Sequence, residues 1–190
     1  MSDLLKIKID GYKNKSAELI KKASVDYELY RKRDKELKTS SLKPGETLGF
    51  ATFDGFYSSE MRDKCEEQLQ TYRADIVSML EEVKSEVRKK SSEPPTTEQA
   101  NLLTALSVGR PNKIELQNAL DENKGNYATF SAINRLAAEN GTHLDTDGKN
   151  PLDDLLDVQS SLARDLNRLY TSNAEKTLSA SYSAFMDLFS

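Results

Sequence analysis

The chain has a single cysteine, Cys65, a single histidine, His143, and no tryptophan. One thiol permits no intrachain disulfide, and so sparing a use of cysteine fits a reducing compartment. The thiol and the imidazole lie far apart in sequence, and nothing marks them as a nucleophile–base pair. No cysteine–histidine cluster gives the ligand spacing of a zinc site. The eight glycines form neither G-x-G-x-x-G nor G-x4-G-K-S/T, so no phosphate-cradling loop is encoded. No apolar run approaches the roughly 18 residues a membrane span needs. The opening MSDLLKIKID alternates charge with apolar residues, unlike the unbroken core of a signal peptide. Paired acids such as Asp153–Asp154 and Glu81–Glu82 read as helix surface. These absences lead us to expect no catalytic, cofactor-binding or metal-ligating residues, no membrane, and a cytoplasmic protein.

What the chain does have is charge: 31% of its 190 residues are Asp, Glu, Lys or Arg, against 37% apolar. That balance suits long solvated helices better than a compact α/β enzyme. The formal charge of −4 is unevenly spread. Residues 1–43 carry +5, residues 44–95 carry −4, and residues 143–190 carry −4. The basic run RKRDKELK at 31–38 could meet an acidic partner or nucleic acid. The acids interleaved among its lysines and arginines break any continuous phosphate track, which favours a solvated face or an acidic neighbour in the same chain.

Apolar residues recur at helical intervals along most of the sequence. Ile9, Tyr12, Ser16, Leu19 and Ala23 alternate by four and three. Tyr27, Tyr30, Asp34 and Leu37 resume the pattern after a one-residue slip, with Ser16 and Asp34 as weak points of the seam. LKIKI at 5–9 also alternates with period two, as a strand would, and LGFATF at 48–53 is its candidate pairing partner. The preferred reading is a helix from about Asp10, with Gly11 separating it from an extended segment. A second helix is expected over about 58–90. Its stripe runs Tyr57, Met61, Cys65, Leu69, Tyr72, Ile76, Met79, Leu80, Val83, Val87. Cys65 sits on that stripe among Asp63, Glu66 and Glu67, which would raise a thiol pKa, so it reads as core.

Between these helices, residues 39–57 contain Pro44, three glycines and the apolar Leu48, Phe50, Phe53 and Phe56. Such a connection either folds over the end of a helical hairpin or forms a partner-binding tip.

After the stop SSEPP at 91–95 come three short, punctuated helices. Thr96 and Gln99 form a capping box ahead of Leu102, Leu103 and Leu106, with Gly109 as the left-handed stop. Asn112 and Glu115 open the next, with Ile114, Leu116, Ala119 and Leu120 on its apolar face and Gly125 at its end. Asn126 caps the third, which encloses Tyr127, Phe130, Ile133, Leu136 and Ala137 and closes at Asn140-Gly141. Asn150, Pro151 and Asp153 start a final helix lined by Leu152, Leu155, Leu162, Leu166, Leu169 and Tyr170. A kink at 171–173 would precede a further stripe of Leu178, Tyr182, Phe185 and Phe189.

Two stretches invite a chemical reading. In HLDTDGKNPLDD, Gly148 as the turn glycine of a calcium loop would place Asp145 and Asp147 at ligand positions. His143 and Asp154 then occupy positions that demand other residues, and any loop before a capped helix uses this composition. Residues 112–141 have the outline of a DNA-reading helix-turn-helix, whose reading helix would begin with Asn126 and Thr129 and present Ser131, Asn134 and Arg135. Four scattered cations, Arg110, Lys113, Lys124 and Arg135, offer little phosphate neutralisation, so packing or protein contact is the favoured reading.

The segment TTEQANLLTALSVGRPNKIELQNALDENKGNYATFSAINRLAAENG, residues 96–141, resembles small uncharacterised helical proteins of tailed bacteriophages. In these an E-Q-x-x-L-L-x-A-L run precedes KGNY and a helix ending in AxENG. Glu98, Gln99, Leu102, Leu103, Ala105, Leu106, Lys124, Gly125, Asn126 and Tyr127 carry the match, over about a quarter of the chain. The resemblance implies a phage structural-gene setting and transfers no catalytic or binding residue.

The expected architecture is all-α. A long antiparallel helical hairpin spans 1–95, a three-helix module 96–141, and a loop with a C-terminal helix packing back on the bundle 142–190. The expected role is a non-enzymatic assembly or interaction protein, a phage scaffolding or capsid-associated factor, in the host cytoplasm or with the virion. Its partner would be a second copy or a capsid protein, met through Phe50, Phe53, Phe56, Tyr182, Phe185 and Phe189. The alternatives are a phage-encoded inhibitor or regulator of a host protein, and DNA binding through 112–141.

Overall fold

The computed structural model describes residues 3–51 and 55–170. Among them all regular secondary structure is helical: α1 (Asp3–Ser40), α2 (Ser59–Ser91), α3 (Thr97–Gly109), α4 (Lys113–Glu122), α5 (Tyr127–Glu139) and α6 (Asp153–Arg168). No described helix is long and apolar enough to cross a membrane. The chain forms two compact units. One joins the residues through Ile9 to Glu81–Gln159, and the other joins Asp10–Leu80 to the chain from Ser160 onward.

The helix expected from about Asp10 begins at Asp3, and LKIKI is its second turn rather than a strand. Leu5 and Ile9, one helical turn apart, are buried, while Ile7 between them is 68% exposed. The period-two alternation was a coincidence of lysines filling the outer positions of an i, i+4 pair. Gly11 lies inside the helix, exposed, with open space where a side chain would point. LGFATF forms no strand over its described residues 48–51.

In the unit built on Asp10–Leu80, the buried side of α1 runs through Ser16, Leu19, Ala23, Tyr27 and Asp34, and that of α2 through Cys65, Leu69, Ile76 and Met79. The two helices are antiparallel here: Asp34 meets Tyr57 and Ser58, and farther along Asp26 meets Tyr72. Leu37, expected on the seam, is 56% exposed in the last turn of α1.

The polar seam residues make the specific bonds of this unit. Asp34 is buried, and its carboxylate accepts from the backbone N–H groups of Tyr57 (2.5 Å) and Ser58 (3.1 Å) and from the Ser58 hydroxyl (2.6 Å). Ser58 in turn caps α2, its oxygen accepting from Met61 N–H at 3.4 Å. Gly55, at φ +77°, makes the turn that brings Phe56 edge-on to Tyr27, ring centroids 5.7 Å apart. The end of α6 is held in the same unit. Ser16 bonds Asp165 at 2.6 Å, and Arg73 donates through Nε to the Leu169 carbonyl at 2.8 Å. Arg73 also pairs with Glu66 and lies 5.0 Å from the centre of the Tyr170 ring. The last carbonyls of a helix lack partners within it, and this guanidinium supplies one.

In the other unit, Lys8 pairs with Glu86 at 3.2 Å. The module core gathers Leu116, Ala119, Leu120, Phe130, Ile133 and Ala137, and takes in Leu144 from the following loop. The capping boxes at Thr96 and Asn112 form as the sequence indicates. Two of the expected stops differ. Gly109 ends α3 in helical conformation and Arg110 takes the left-handed turn, at φ +52°. Asn123, rather than Gly125, closes α4, its side-chain amide donating to the Ala119 carbonyl at 2.9 Å. Ile114 points outward at 71% exposure instead of joining the α4 face. The loop after α5 is tied to α4 by a reciprocal pair: Gln117 Nε2 donates to the Asp145 carbonyl (3.1 Å) and Asp145 N–H donates to Gln117 Oε1 (2.9 Å). Asn150 and Pro151 form a turn that accepts from Leu152 N–H, and α6 proper begins at Asp153. Among the described residues no buried side-chain nitrogen or oxygen lacks a hydrogen-bond partner.

Candidate interaction surfaces

The groups with chemical potential are dispersed. Cys65 is 2% exposed. Burial first, then the charges of Glu66 and Asp26, push its thiol up to about 12 against the opposing effect of Arg73. A thiol so held is neutral at physiological pH and a poor nucleophile. His143 is exposed at the loop after α5. Among the described residues no three His, Cys, Asp or Glu side chains converge as metal ligands. The calcium-like loop is closed by its own contacts instead. The Asp145 carboxylate accepts from Asp147 N–H at 3.1 Å and from Lys149 at 3.2 Å, which together hold its pKa below the usual carboxylate range. Lys149 also pairs with Asp121 at 3.0 Å, the leading cause of its raised pKa.

The aromatic residues expected at a partner contact separate. Phe50 is fully exposed, whereas Phe56, six positions on, is 1% exposed and packed on Tyr27. Phe56 therefore serves the core of its own unit and offers no surface. Phe53, Tyr182, Phe185 and Phe189 lie outside the described residues, as does the expected kink at 171–173.

Of the residues that a DNA-reading alternative would use, four have contacts within the chain. Asn126 and Thr129 are buried at the start of α5, with Asn126 accepting from Thr129 N–H and donating to the Glu93 and Pro94 carbonyls. The preceding linker thus lies against the helix end that would have to enter a groove. Asn134 turns back to the Phe130 carbonyl, and Arg135 pairs with Glu139 at 3.8 Å. Asn126 is the N-cap of α5, as the sequence indicates.

Apart from Phe50 and Tyr170, the large apolar side chains exposed among the described residues lie on helices. In the Asp10–Leu80 unit an open cleft of about 510 Å³ is lined by Tyr30, Leu37 and Met61 together with Arg33, Glu36 and Lys64. In the other unit α3 is unusual. It holds one charged residue, Glu98, and is rich in Leu and Ala, yet none of its side chains is buried. Leu102, Leu103 and Leu106 are only partly covered by the module core. At its end, Val108 and Ile114 flank the Arg110–Pro111–Asn112 corner at 79% and 71% exposure. Arg110 and Lys113 beside them make no ion pair among the described residues. The corner was not apparent in the sequence, where Ile114 fits the apolar spacing of α4, although the covered face of that helix holds Leu116, Ala119 and Leu120.

Comparison of the chain with protein-family models, with curated proteins and with solved structures returned no match.

Proposed function

We propose that this chain is a non-enzymatic helical assembly protein, a phage scaffolding or capsid-associated factor that acts through helix surfaces. The observation that carries the reading is the division of labour among its side chains. The one thiol is in the core, Asp145 and Asp165 are tied by hydrogen bonds, and the outer faces hold apolar side chains beside unpaired charges. A helix that is apolar in composition but buries no side chain within its own module is suited to being covered by a neighbour. The resemblance of residues 96–141 to small phage proteins supplies the setting.

The test is fractionation of an infected-cell lysate. An assembly factor sediments with procapsids or virions and leaves them at a defined stage. A chain that stays in the soluble fraction throughout infection refutes the reading. If it is found there in stoichiometric complex with a bacterial protein, the inhibitor reading takes its place.

A further inference from the structure

The unit containing α3 to α5 and the start of α6 carries two exposed surfaces that complement each other. The α3–α4 corner sets Val108 and Ile114 beside Arg110 and Lys113. The start of α6 carries the reverse arrangement. Leu156 is 40% exposed, with Asp153 three positions before it and Asp157 directly after. At 100° per residue, residues 153, 156, 157 and 160 lie on the side of α6 opposite the buried Leu155, Val158 and Leu162. Neither aspartate makes an ion pair or side-chain hydrogen bond among the described residues. One surface is therefore apolar and cationic, the other apolar and anionic, and both are open at once on a single copy.

We propose that the chain associates head to tail with a second copy of itself, the α3–α4 corner of one copy seating on the α6 face of the next. Deepening the assembly function proposed above, this names the partner. The sign of the charges selects the pairing. Corner against corner would oppose Arg110 and Lys113 to themselves, and face against face would oppose Asp153 and Asp157 to themselves, whereas corner against face sets the two cations against the two carboxylates. Arg110 is also the one described non-glycine residue in the left-handed region. Holding an arginine there costs up to about 1–2 kcal/mol, a strain taken up in the backbone turn between the exposed Val108 and Ile114. Because donor and acceptor surfaces differ, the contact is heterologous. It propagates into a ring or a filament rather than closing as a two-fold dimer.

The experiment measures the mass of the full chain by sedimentation velocity over a concentration series, at low and at high salt. Wild type should grow in mass with concentration, and salt should weaken the growth, since exposed pairs are screened beyond about 8 Å at physiological ionic strength. The corner variant Arg110→Asp with Lys113→Glu should associate about tenfold more weakly or worse. Acids there suit the left-handed turn and the start of α4, so misfolding does not explain a loss. The face variant Asp153→Asn with Asp157→Lys should lose association to the same degree. Mixing the two variants should restore it, because each then supplies the surface that the other lacks. A wild type that is monomeric at every concentration overturns the proposal, as does association unchanged in both variants or a mixture that stays monomeric. The assembly function itself survives any of these results if the chain still sediments with particles.

Discussion

Ser16 and Asp165 lie 149 positions apart, and the Ser16 hydroxyl donates to the Asp165 carboxylate at 2.6 Å with both residues buried. The second carboxylate oxygen accepts from Arg168 at 3.1 Å, one turn along α6. The bond fixes which residue of α6 faces which residue of α1, because a helix sliding by one position would leave a buried carboxylate without its donor. Removing only the donor is costly for the same reason. Ser16→Ala should lower the unfolding free energy by about 1–3 kcal/mol, read as a shift of the urea midpoint at constant slope. Ser16→Ala combined with Asp165→Leu should cost less than the sum of the two single changes, since the double variant leaves neither a buried carboxylate oxygen without its donor nor the Ser16 hydroxyl without its acceptor. Additive losses would show that the two residues are not coupled.

Asp34 carries the closing of the Asp10–Leu80 unit at the other end of α1. It accepts from two consecutive backbone N–H groups and from the cap hydroxyl of α2. Asp34→Ala removes all three bonds and should cost about 2 kcal/mol or more. Hydrogen exchange should then rise first at Tyr57, Ser58 and the opening turn of α2. Exchange that rises evenly along the chain would place the loss elsewhere.

The two aspartates also show where the sequence was legible and where it was not. The three-four spacing of Cys65, Leu69, Ile76, Met79 and Val83, with the half-buried Tyr72 among them, is a local property, and it marks the covered side of α2. The caps Thr96, Asn112 and Asn126 bond to groups within three residues and can be read for the same reason. Ser16 and Asp34 looked like flaws in a stripe because their partners are distant in sequence. On α6 Asp165 was missed because a carboxylate in the buried row contradicts hydropathy, whereas Val158, between Leu155 and Leu162, fits the spacing. In the loops no period exists to sort one apolar residue from another. Nothing local distinguishes Phe50, exposed, from Phe56, buried, or marks Leu144 as part of the module core. At the candidate corner, glycine statistics favoured Gly109 for the left-handed turn, which Arg110 takes instead, two residues before the cap Asn112.

Gly11 makes a prediction in the stabilising direction. It occupies the interior of α1 with nothing near its missing side chain, and its backbone is helical. Gly11→Ala removes freedom from the unfolded chain without a clash in the folded one, and should stabilise by about 0.5–1 kcal/mol. A destabilised variant would mean that the first turns of α1 do not stay helical in solution.

Cys65 offers a reporter on the intact core. Its thiol sits at about 12 in the folded chain against 9.0 for an ordinary cysteine, chiefly because burial disfavours the thiolate. Folding therefore binds the thiol proton more tightly than the unfolded chain does. The stability tied to it is complete below pH 9.0 and is lost as the pH climbs from there towards about 12. Two measurements follow. At pH 8 in native buffer a thiol-alkylating reagent should label Cys65 at a rate set by opening of the core, far slower than in denaturant. Cys65→Ala should flatten the alkaline limb of the stability–pH curve while lowering stability at neutral pH, since it also vacates a buried site beside Leu69. Rapid native labelling would require an exposed thiolate, which the packing of α2 against α1 does not permit.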